Sequence, residues 1–109
     1  MPPASEVVPG AWSEIIILYD DGNYSAMWGR FRGNTHKDLG VRWNGSDNMG
    51  FPNSRGHLQW YVEPPFLHEG LLWSIRKRLE GAENTSVNRL HLSNLDTAFT
   101  ESRLQSGKT

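Results

Sequence analysis

Two stretches in the middle of the chain alternate apolar and polar residues with a period of two. The first covers residues 37–44 and the second covers residues 57–63. This period is typical of half-buried strands, because successive side chains of a strand point to opposite faces of a sheet. Both stretches are therefore predicted strands, with Arg42, Asn44 and Tyr61 among their polar positions.

Two further strands are predicted upstream. Residues 12–19 are apolar on both faces at their centre, which indicates a strand covered from two sides. The Asp, Gly and Asn residues of 20–23 favour a tight hairpin turn that leads into a second strand over 24–32. Gly29 inside that strand indicates a bulge or a close approach of another part of the chain. After a second turn at 33–36, the order predicts an antiparallel meander.

One amphipathic helix is predicted over residues 66–80. Leucine and isoleucine recur there every four residues, which forms an apolar stripe that suits packing on a sheet. Pro65 fits the first turn of this helix and Gly81 fits its end. The predicted fold is therefore α+β: a small twisted antiparallel sheet of about four strands, open or curled into a barrel, with one helix packed on it.

The chain of 109 residues is long enough for one hydrophobic core. Residues 1–11 contain three prolines and are predicted to form an irregular arm. Residues 12–81 form the predicted α+β domain. Residues 82–109 are predicted to be a partly ordered segment with a short helix or strand and a disordered end, and Ser93 resembles a helix cap.

Composition excludes several functional classes. The chain has no cysteine, so disulfides, thiolate metal sites and thiol catalysis are excluded. Its histidines lack the spacing of zinc ligands, and no cofactor motif is present, so neither a metal nor a cofactor is predicted. The first residues lack the features of a signal peptide and no apolar run is long enough to span a bilayer. A cytoplasmic protein without a membrane partner is therefore expected.

The loop over residues 44–56 is the main candidate binding site, because loops of this length in compact domains are often functional. Residues 24–60 carry five basic and two acidic residues, which favours an anionic ligand although the whole chain has a net charge of −1. Arginine donates paired hydrogen bonds to carboxylate or phosphate, and tyrosine offers a stacking surface. The candidate ligand-binding residues are Arg42, Asn44, Asn53, Arg55 and Tyr61.

The leading interpretation is a non-enzymatic binding module for a small anionic ligand or a protein partner. Phe66 and Trp73 lie nearly opposite the apolar stripe, which predicts contact with the C-terminal segment or with a second molecule, including a homodimer partner. The sequence leaves three alternatives open. One is a solvated sheet face without a ligand. Another is a nucleic-acid-associated module that uses the basic sheet region over 24–60, which includes the Trp-Gly-Arg-Phe-Arg run at 28–32. The third is a small enzyme at a dimer interface with His57 as acid or base.

Three pieces of the central region form a recognisable pattern. They are Arg-Trp-Asn-Gly at 42–45, Gly-Phe-Pro-Asn-Ser-Arg-Gly at 50–56 and Trp-Tyr-Val-Glu-Pro at 60–64. The pattern resembles one found in small uncharacterised bacterial proteins, some of which are carried in mobile integron gene cassettes. The resemblance covers about residues 15–64. It implies a bacterial, mobile-element setting and an accessory role, but no particular activity.

Overall fold

The computed structural model describes residues 12–44, 53–54, 57–58 and 60–106, and of residues 53–54, 57–58 and 106 it describes the backbone. The strands are β1 (Trp12–Asp20), β2 (Tyr24–Phe31), β3 (Asp38–Trp43), β4 (Asn53–Ser54), β5 (His57–Leu58) and β6 (Tyr61–Glu63). Two helices follow, α1 (Pro65–Glu80) and α2 (Ser86–Ser106). The predicted α+β class is confirmed.

The main sheet is an antiparallel meander in the order β1-β2-β3-β6. The predicted meander is thus confirmed, and the sheet is open, not closed into a barrel. The strand predicted over residues 57–63 is divided: β5 pairs with β4 in a separate two-stranded sheet, while β6 pairs with β3. The predicted irregular arm, most of the 44–56 loop and the extreme C-terminus lie outside the described residues.

Both faces of the main sheet carry apolar cores. On the face toward the helices, Trp28, Leu39 and Val41 pack with residues of α1 and α2. The opposite face carries a smaller cluster built on Trp12, Met27 and Trp60. This second face of the sheet is also buried. The polar residues of β3 alternate with its apolar residues, but this alternation does not by itself place them in contact with solvent.

Two irregularities interrupt the pairing of β1 with β2, one between Ser13 and Ile16 and one between Ile17 and Tyr19. Gly29 lies against the first. A β-carbon at Gly29 would stand 3.0 Å from the Ser13 carbonyl oxygen and 3.3 Å from the Ile15 α-carbon. The predicted bulge or close approach at Gly29 is therefore confirmed, and the neighbours that crowd it include backbone atoms.

Helix α1 begins at Pro65, as its first-turn role predicts, and Gly81 follows its end with an N–H that donates to the Lys77 carbonyl oxygen. Its buried residues are His68, Leu72 and Leu79. Leu67, which the sequence pattern places in the apolar stripe, is 39% exposed. The buried stripe thus starts one residue later, on a histidine, because the His68 ring fills the space beside Trp28.

The C-terminal segment contains one helix of 21 residues, so of the two predicted alternatives the helix is present, and it is longer than predicted. Ser93 lies inside α2 and does not cap it. The cap is Thr85, whose hydroxyl accepts a hydrogen bond from the Asn88 N–H at 3.1 Å. The helix is longer than the predicted short element because Leu95, Ala98 and Phe99 are buried against the sheet and α1. Among the described residues, no helix is long and apolar enough to cross a membrane.

Gly29→Ala is expected to destabilise the protein by about 1–3 kcal/mol, because the added methyl group meets backbone that cannot rotate away. Gly70→Ala is the matched control. Nothing lies within 4 Å of a β-carbon at Gly70 in α1, so this change is expected to stabilise the protein by roughly 0.5–1 kcal/mol. Urea unfolding of both variants measures the two free energies. Equal effects of the two substitutions would contradict the close approach at Gly29.

Candidate functional site

A groove opens between α1 and the end of the main sheet that carries the β1–β2 turn. Its volume is about 460 Å³, which lies within the range of roughly 300–1,000 Å³ typical of small-molecule sites. We refer to it as the aromatic groove. Its lining residues come from the sheet, the turn and the helix: Tyr19, Asp21, Asn23, Tyr24, Val41, Trp43, Leu71, Ser74, Ile75 and Arg78.

The helical wall of the aromatic groove is one face of α1, because residues three or four positions apart lie on the same side of a helix. Its members are Leu71, Ser74, Ile75 and Arg78. On the sheet side, Tyr24 and Trp43 are cross-strand partners of β2 and β3. Their rings meet edge to face with centroids 4.6 Å apart, and Trp43 remains 56% exposed. The groove therefore offers an aromatic surface opposite an aliphatic one.

The polar end of the groove is built on the Asp21 carboxylate. One of its oxygens accepts hydrogen bonds from the N–H groups of Asn23 at 2.8 Å and Tyr24 at 2.9 Å, which fixes the turn. The Tyr19 hydroxyl donates to the other oxygen at 2.9 Å. Arg78 Nε donates in turn to the Tyr19 hydroxyl oxygen at 3.2 Å, so the turn positions the guanidinium at the groove.

The ionisable groups of this end keep fixed protonation states near neutral pH. Burial alone would raise the pKa of the Asp21 carboxyl, but the N–H groups of Tyr24 and Asn23 and the Tyr19 hydroxyl stabilise its charged form and lower that pKa overall. Burial raises the pKa of Tyr19 and of Tyr24, and Glu63 adds to the effect on Tyr24. Asp21 is thus an anion and both tyrosines are neutral.

Arg78 is the residue of the groove that is able to recognise a charged ligand. Its side chain is 72% exposed, and its Nη2 lies 4.0 Å from the nearer Asp21 oxygen, beyond hydrogen-bond distance. A guanidinium has five N–H donors, of which the contact with Tyr19 uses one. The remaining donors suit a carboxylate or another anion placed at the mouth of the groove.

Arg42 and Asn44, two of the predicted ligand-binding residues, are both fully buried at 0% exposure. Asn44 makes its contacts inside the fold. Its side-chain amide oxygen accepts a hydrogen bond from the Ser25 hydroxyl at 3.0 Å, and its backbone N–H donates to the Asn23 carbonyl oxygen at 2.7 Å. Burial lowers the pKa of the Arg42 guanidinium. These contacts tie β3 to the start of β2 and place neither residue at the aromatic groove.

Tyr61 and Arg42 lie on opposite faces of the sheet, although the sequence pattern groups them. Tyr61 is registered with Val41, and cross-strand partners share a face, so its ring is on the face toward the helices. Tyr61 is 52% exposed and is not part of the groove lining. Asn53 lies in β4, Arg55 lies outside the described residues, and the structure does not describe the His57 side chain. The candidate site built on the 44–56 loop remains a prediction.

The two predicted interface residues differ in their surroundings. Trp73 packs against Phe99 of α2 with ring centroids 5.0 Å apart and remains 47% exposed. Contact with the C-terminal segment is one of the two contacts that the sequence predicts for Trp73. Phe66, at the start of α1, is 84% exposed.

The excess of basic residues over 24–60 is offset by acids from other parts of the chain. Arg30 pairs with Glu14 of β1, and Lys37 pairs with Glu101 of α2 at 3.1 Å. Arg42 is buried. The local positive charge that suggested an anionic partner at the central strands is thus weaker on the folded surface than along the sequence.

Sequence reasoning missed a cluster of two histidines, His36 and His68, around the buried Asp38 carboxylate. The Asp38 side chain is 7% exposed, with His36 Nε2 at 3.6 Å and His68 Nε2 at 4.0 Å. His68 Nε2 also hydrogen-bonds the Glu63 carbonyl oxygen at 3.0 Å. His36 lies two residues before Asp38, but His68 comes from α1, far along the chain, so no spacing rule joins all three residues. Within the described part of the chain, no group of three or more histidine or acidic residues has the arrangement of a metal site.

Comparison with protein-family models, with curated proteins and with solved structures found no match to this chain. The resemblance to small bacterial proteins of integron gene cassettes therefore stays a prediction from the sequence.

The turn at Asp21 predicts a pH dependence of stability. The pKa of Asp21 is lower in the folded protein than the value near 4 of an unfolded chain, so its contribution to stability is present above about pH 4 and is lost as the pH falls through the folded pKa. Asp21→Asn keeps the oxygen that accepts the turn hydrogen bonds but does not titrate. Thermal unfolding between pH 4 and 2 is expected to show a steeper loss for the native chain than for this variant.

The control for that experiment is Glu83→Gln, which removes one negative charge from the α1–α2 connection, outside the turn. Its melting temperature is expected to fall with pH as steeply as that of the native chain. Parallel curves for Asp21→Asn and the native chain would contradict the role of the ionised Asp21 carboxylate in the turn.

Proposed function

We propose that this chain is a non-enzymatic binding module whose aromatic groove holds a small organic ligand with a flat apolar part and an anionic group. The observation that carries the proposal is the position of Arg78, whose guanidinium is held by Tyr19 at the mouth of a groove with apolar walls. An apolar cleft with a few convergent polar groups is the common form of a small-molecule site.

Each part of such a ligand has a matching surface. The Trp43 and Tyr24 rings offer faces and edges for a flat ring system, and Leu71 and Ile75 cover it from α1. A carboxylate at the open end accepts hydrogen bonds from Arg78. The Asp21 carboxylate attracts the same guanidinium, but across 4.0 Å and without a direct hydrogen bond, so donors of Arg78 remain for the ligand.

Binding is favoured over acid–base catalysis at this groove by the protonation states of its own residues. A general acid or base works best with a pKa near the operating pH. The pKa of Asp21 is lowered away from neutrality, and burial raises the pKa of both Tyr19 and Tyr24 above the usual tyrosine value. At neutral pH these groups therefore keep one protonation state, and Asp21 and the Tyr19 hydroxyl hold the hydrogen bonds of the turn.

The proposed ligand belongs to the class that the sequence suggests, but the proposed site differs from the one that the sequence suggests. The small anionic ligand predicted for the 44–56 loop is assigned to the groove beside α1. A bacterial accessory role of such a module remains in line with the resemblance seen in the sequence.

The test uses 2-naphthoate as probe and 2-naphthylmethanol as its uncharged counterpart. Binding of each probe is measured by the NMR shifts of amide and indole signals. We expect 2-naphthoate to shift the Trp43 indole signal and the amides of residues 19–24 and 71–78. Arg78→Gln is expected to weaken the affinity for 2-naphthoate about three- to fivefold, since an exposed ion pair contributes up to about 1 kcal/mol. The same change is expected to leave the affinity for 2-naphthylmethanol within about a factor of two.

Arg32→Gln is the matched control, because Arg32 is an exposed arginine at the end of β2 and outside the groove. It is expected to bind 2-naphthoate as the native chain does. Equal losses in Arg78→Gln and Arg32→Gln would point to general attraction by positive charge and overturn the assignment. A strongly salt-dependent affinity for short oligonucleotides, with no response to 2-naphthoate, would favour the nucleic-acid alternative instead.

A further inference from the structure

The sheet side of the aromatic groove carries polar groups that the fold itself does not use. Tyr24 and Trp43 line the groove and pack edge to face. Among the described residues, the Tyr24 hydroxyl and the Trp43 indole N–H have no hydrogen-bond partner. The Tyr24 hydroxyl is accessible to solvent, and Trp43 is 56% exposed. Both groups are therefore available to water or to a ligand.

Asn23 adds an amide to the same side of the groove. The residue is exposed and lines the groove at the β1–β2 turn. Its backbone holds the turn, because its N–H donates to Asp21 and its carbonyl oxygen accepts from the Asn44 N–H. Its side-chain amide has no hydrogen-bond partner within the described part of the chain. An amide has two donors and an acceptor in one plane, so it is able to pair with a flat edge that carries a donor beside an acceptor.

These unused groups favour one kind of flat ring over another. A hydrocarbon ring placed here removes water from the Asn23 amide, the Trp43 N–H and the Tyr24 hydroxyl without offering a hydrogen bond in return, which costs free energy. A heterocycle with donors and acceptors along its edge replaces the lost contacts with water. Nucleobases have this form, since each has a flat face that stacks on aromatic side chains and an edge with donors and acceptors.

The polar end of the groove limits the charge of the ligand. Among the described lining residues, Arg78 is the cation and Asp21 is the anion. The Arg78 guanidinium is held by the Tyr19 hydroxyl and keeps donors for a ligand. The planar guanidinium matches a phosphate as well as a carboxylate. With one arginine and a neighbouring carboxylate, the groove suits a single phosphate better than a polyphosphate or a nucleic-acid strand.

We propose that the aromatic groove binds a nucleoside monophosphate, with its base stacked on Trp43, the edge of the base at Asn23 and the phosphate at Arg78. This inference rests on the proposed function and names the ligand class for the same site. Every base has a π face that stacks on an aromatic side chain. The ligand class is therefore defined by a base and a single phosphate, not by one particular base.

The experiment titrates the full chain at pH 7 with the 5′-monophosphates of adenosine, guanosine, cytidine and uridine and follows amide and indole NMR signals. We expect at least one nucleotide to shift the Trp43 indole signal and the amides of residues 19–24 and 71–78. Arg78→Gln is expected to weaken the tightest-binding nucleotide about three- to fivefold, because an exposed ion pair is lost. The same change is expected to leave the affinity for the corresponding nucleoside, which has no phosphate, within about a factor of two.

The decisive variant is Asn23→Ala, which removes the amide and keeps the backbone contacts of the turn. Asn23 does not have a positive φ, so alanine fits its backbone, and amide spectra outside the groove verify the fold. The variant is expected to bind the tightest-binding nucleotide about threefold more weakly or worse, because a hydrogen bond is lost. Its affinity for 2-naphthoate is expected to stay within about a factor of two, since a hydrocarbon ring does not use the amide.

Asn34→Ala is the matched control. Asn34 lies in the β2–β3 connection, outside the groove lining, and its side-chain amide likewise lacks a hydrogen-bond partner in the part of the chain that the structure describes. This variant is expected to bind the nucleotide and 2-naphthoate as the native chain does.

The outcomes separate this inference from the proposed function. Shifts with 2-naphthoate but with none of the four nucleotides overturn the inference and leave the proposed function standing, whereas no shift with any probe overturns both. Equal weakening of the nucleotide and of 2-naphthoate by Asn23→Ala assigns Asn23 a structural role and overturns the inference. Tighter binding of a 5′-phosphorylated adenosine tetranucleotide than of any mononucleotide also overturns it, in favour of a nucleic-acid strand.

Discussion

The Trp28 side chain joins the sheet to both helices, and the placement of everything around the core depends on it. The ring is fully buried in the centre of β2 and meets His68 of α1 edge to face at 5.3 Å. Its indole N–H donates to the Glu101 carboxylate of α2 at 2.8 Å. A buried indole needs an acceptor, and a hydrogen bond to a charged group contributes about 1.5–3 kcal/mol. One residue thus fixes where α1 crosses the sheet and which part of α2 lies against it.

The aromatic groove follows from this arrangement. Helix α1 is held through His68, Leu72 and Leu79, so its next face, which carries Arg78, lies beside the turn of the first hairpin. Helix α2 is held by Leu95, Ala98 and Phe99 in the core and by the Asn94 side chain, which donates to the Ile17 carbonyl oxygen of β1. The groove is a space that the packing of α1 on the sheet leaves open, and the β1–β2 turn supplies its polar end.

The local part of the fold was predictable because it depends on neighbouring residues. Alternation located the strands of the meander, the Asp-Asp-Gly-Asn turn located the first hairpin, and Gly29 indicated the bulge. The candidate site was not predictable in the same way. Arg42 has the pattern of a surface residue, but it is buried because the second sheet face is also covered. Arg78 was interpreted only as a basic residue at a helix end, since sequence spacing does not show where a helix crosses a sheet.

The contacts that dock α2 join residues very far apart in sequence. Trp28 to Glu101 spans 73 residues, Ile17 to Asn94 spans 77, and Lys37 to Gln105 spans 68. The hairpins of the meander, in contrast, close over a few residues. Because long loops are closed at a greater entropic cost and later than short ones, the meander is expected to assemble early and the C-terminal helix to dock last. During synthesis, the indole of Trp28 then remains without this acceptor until the chain has been made through Glu101.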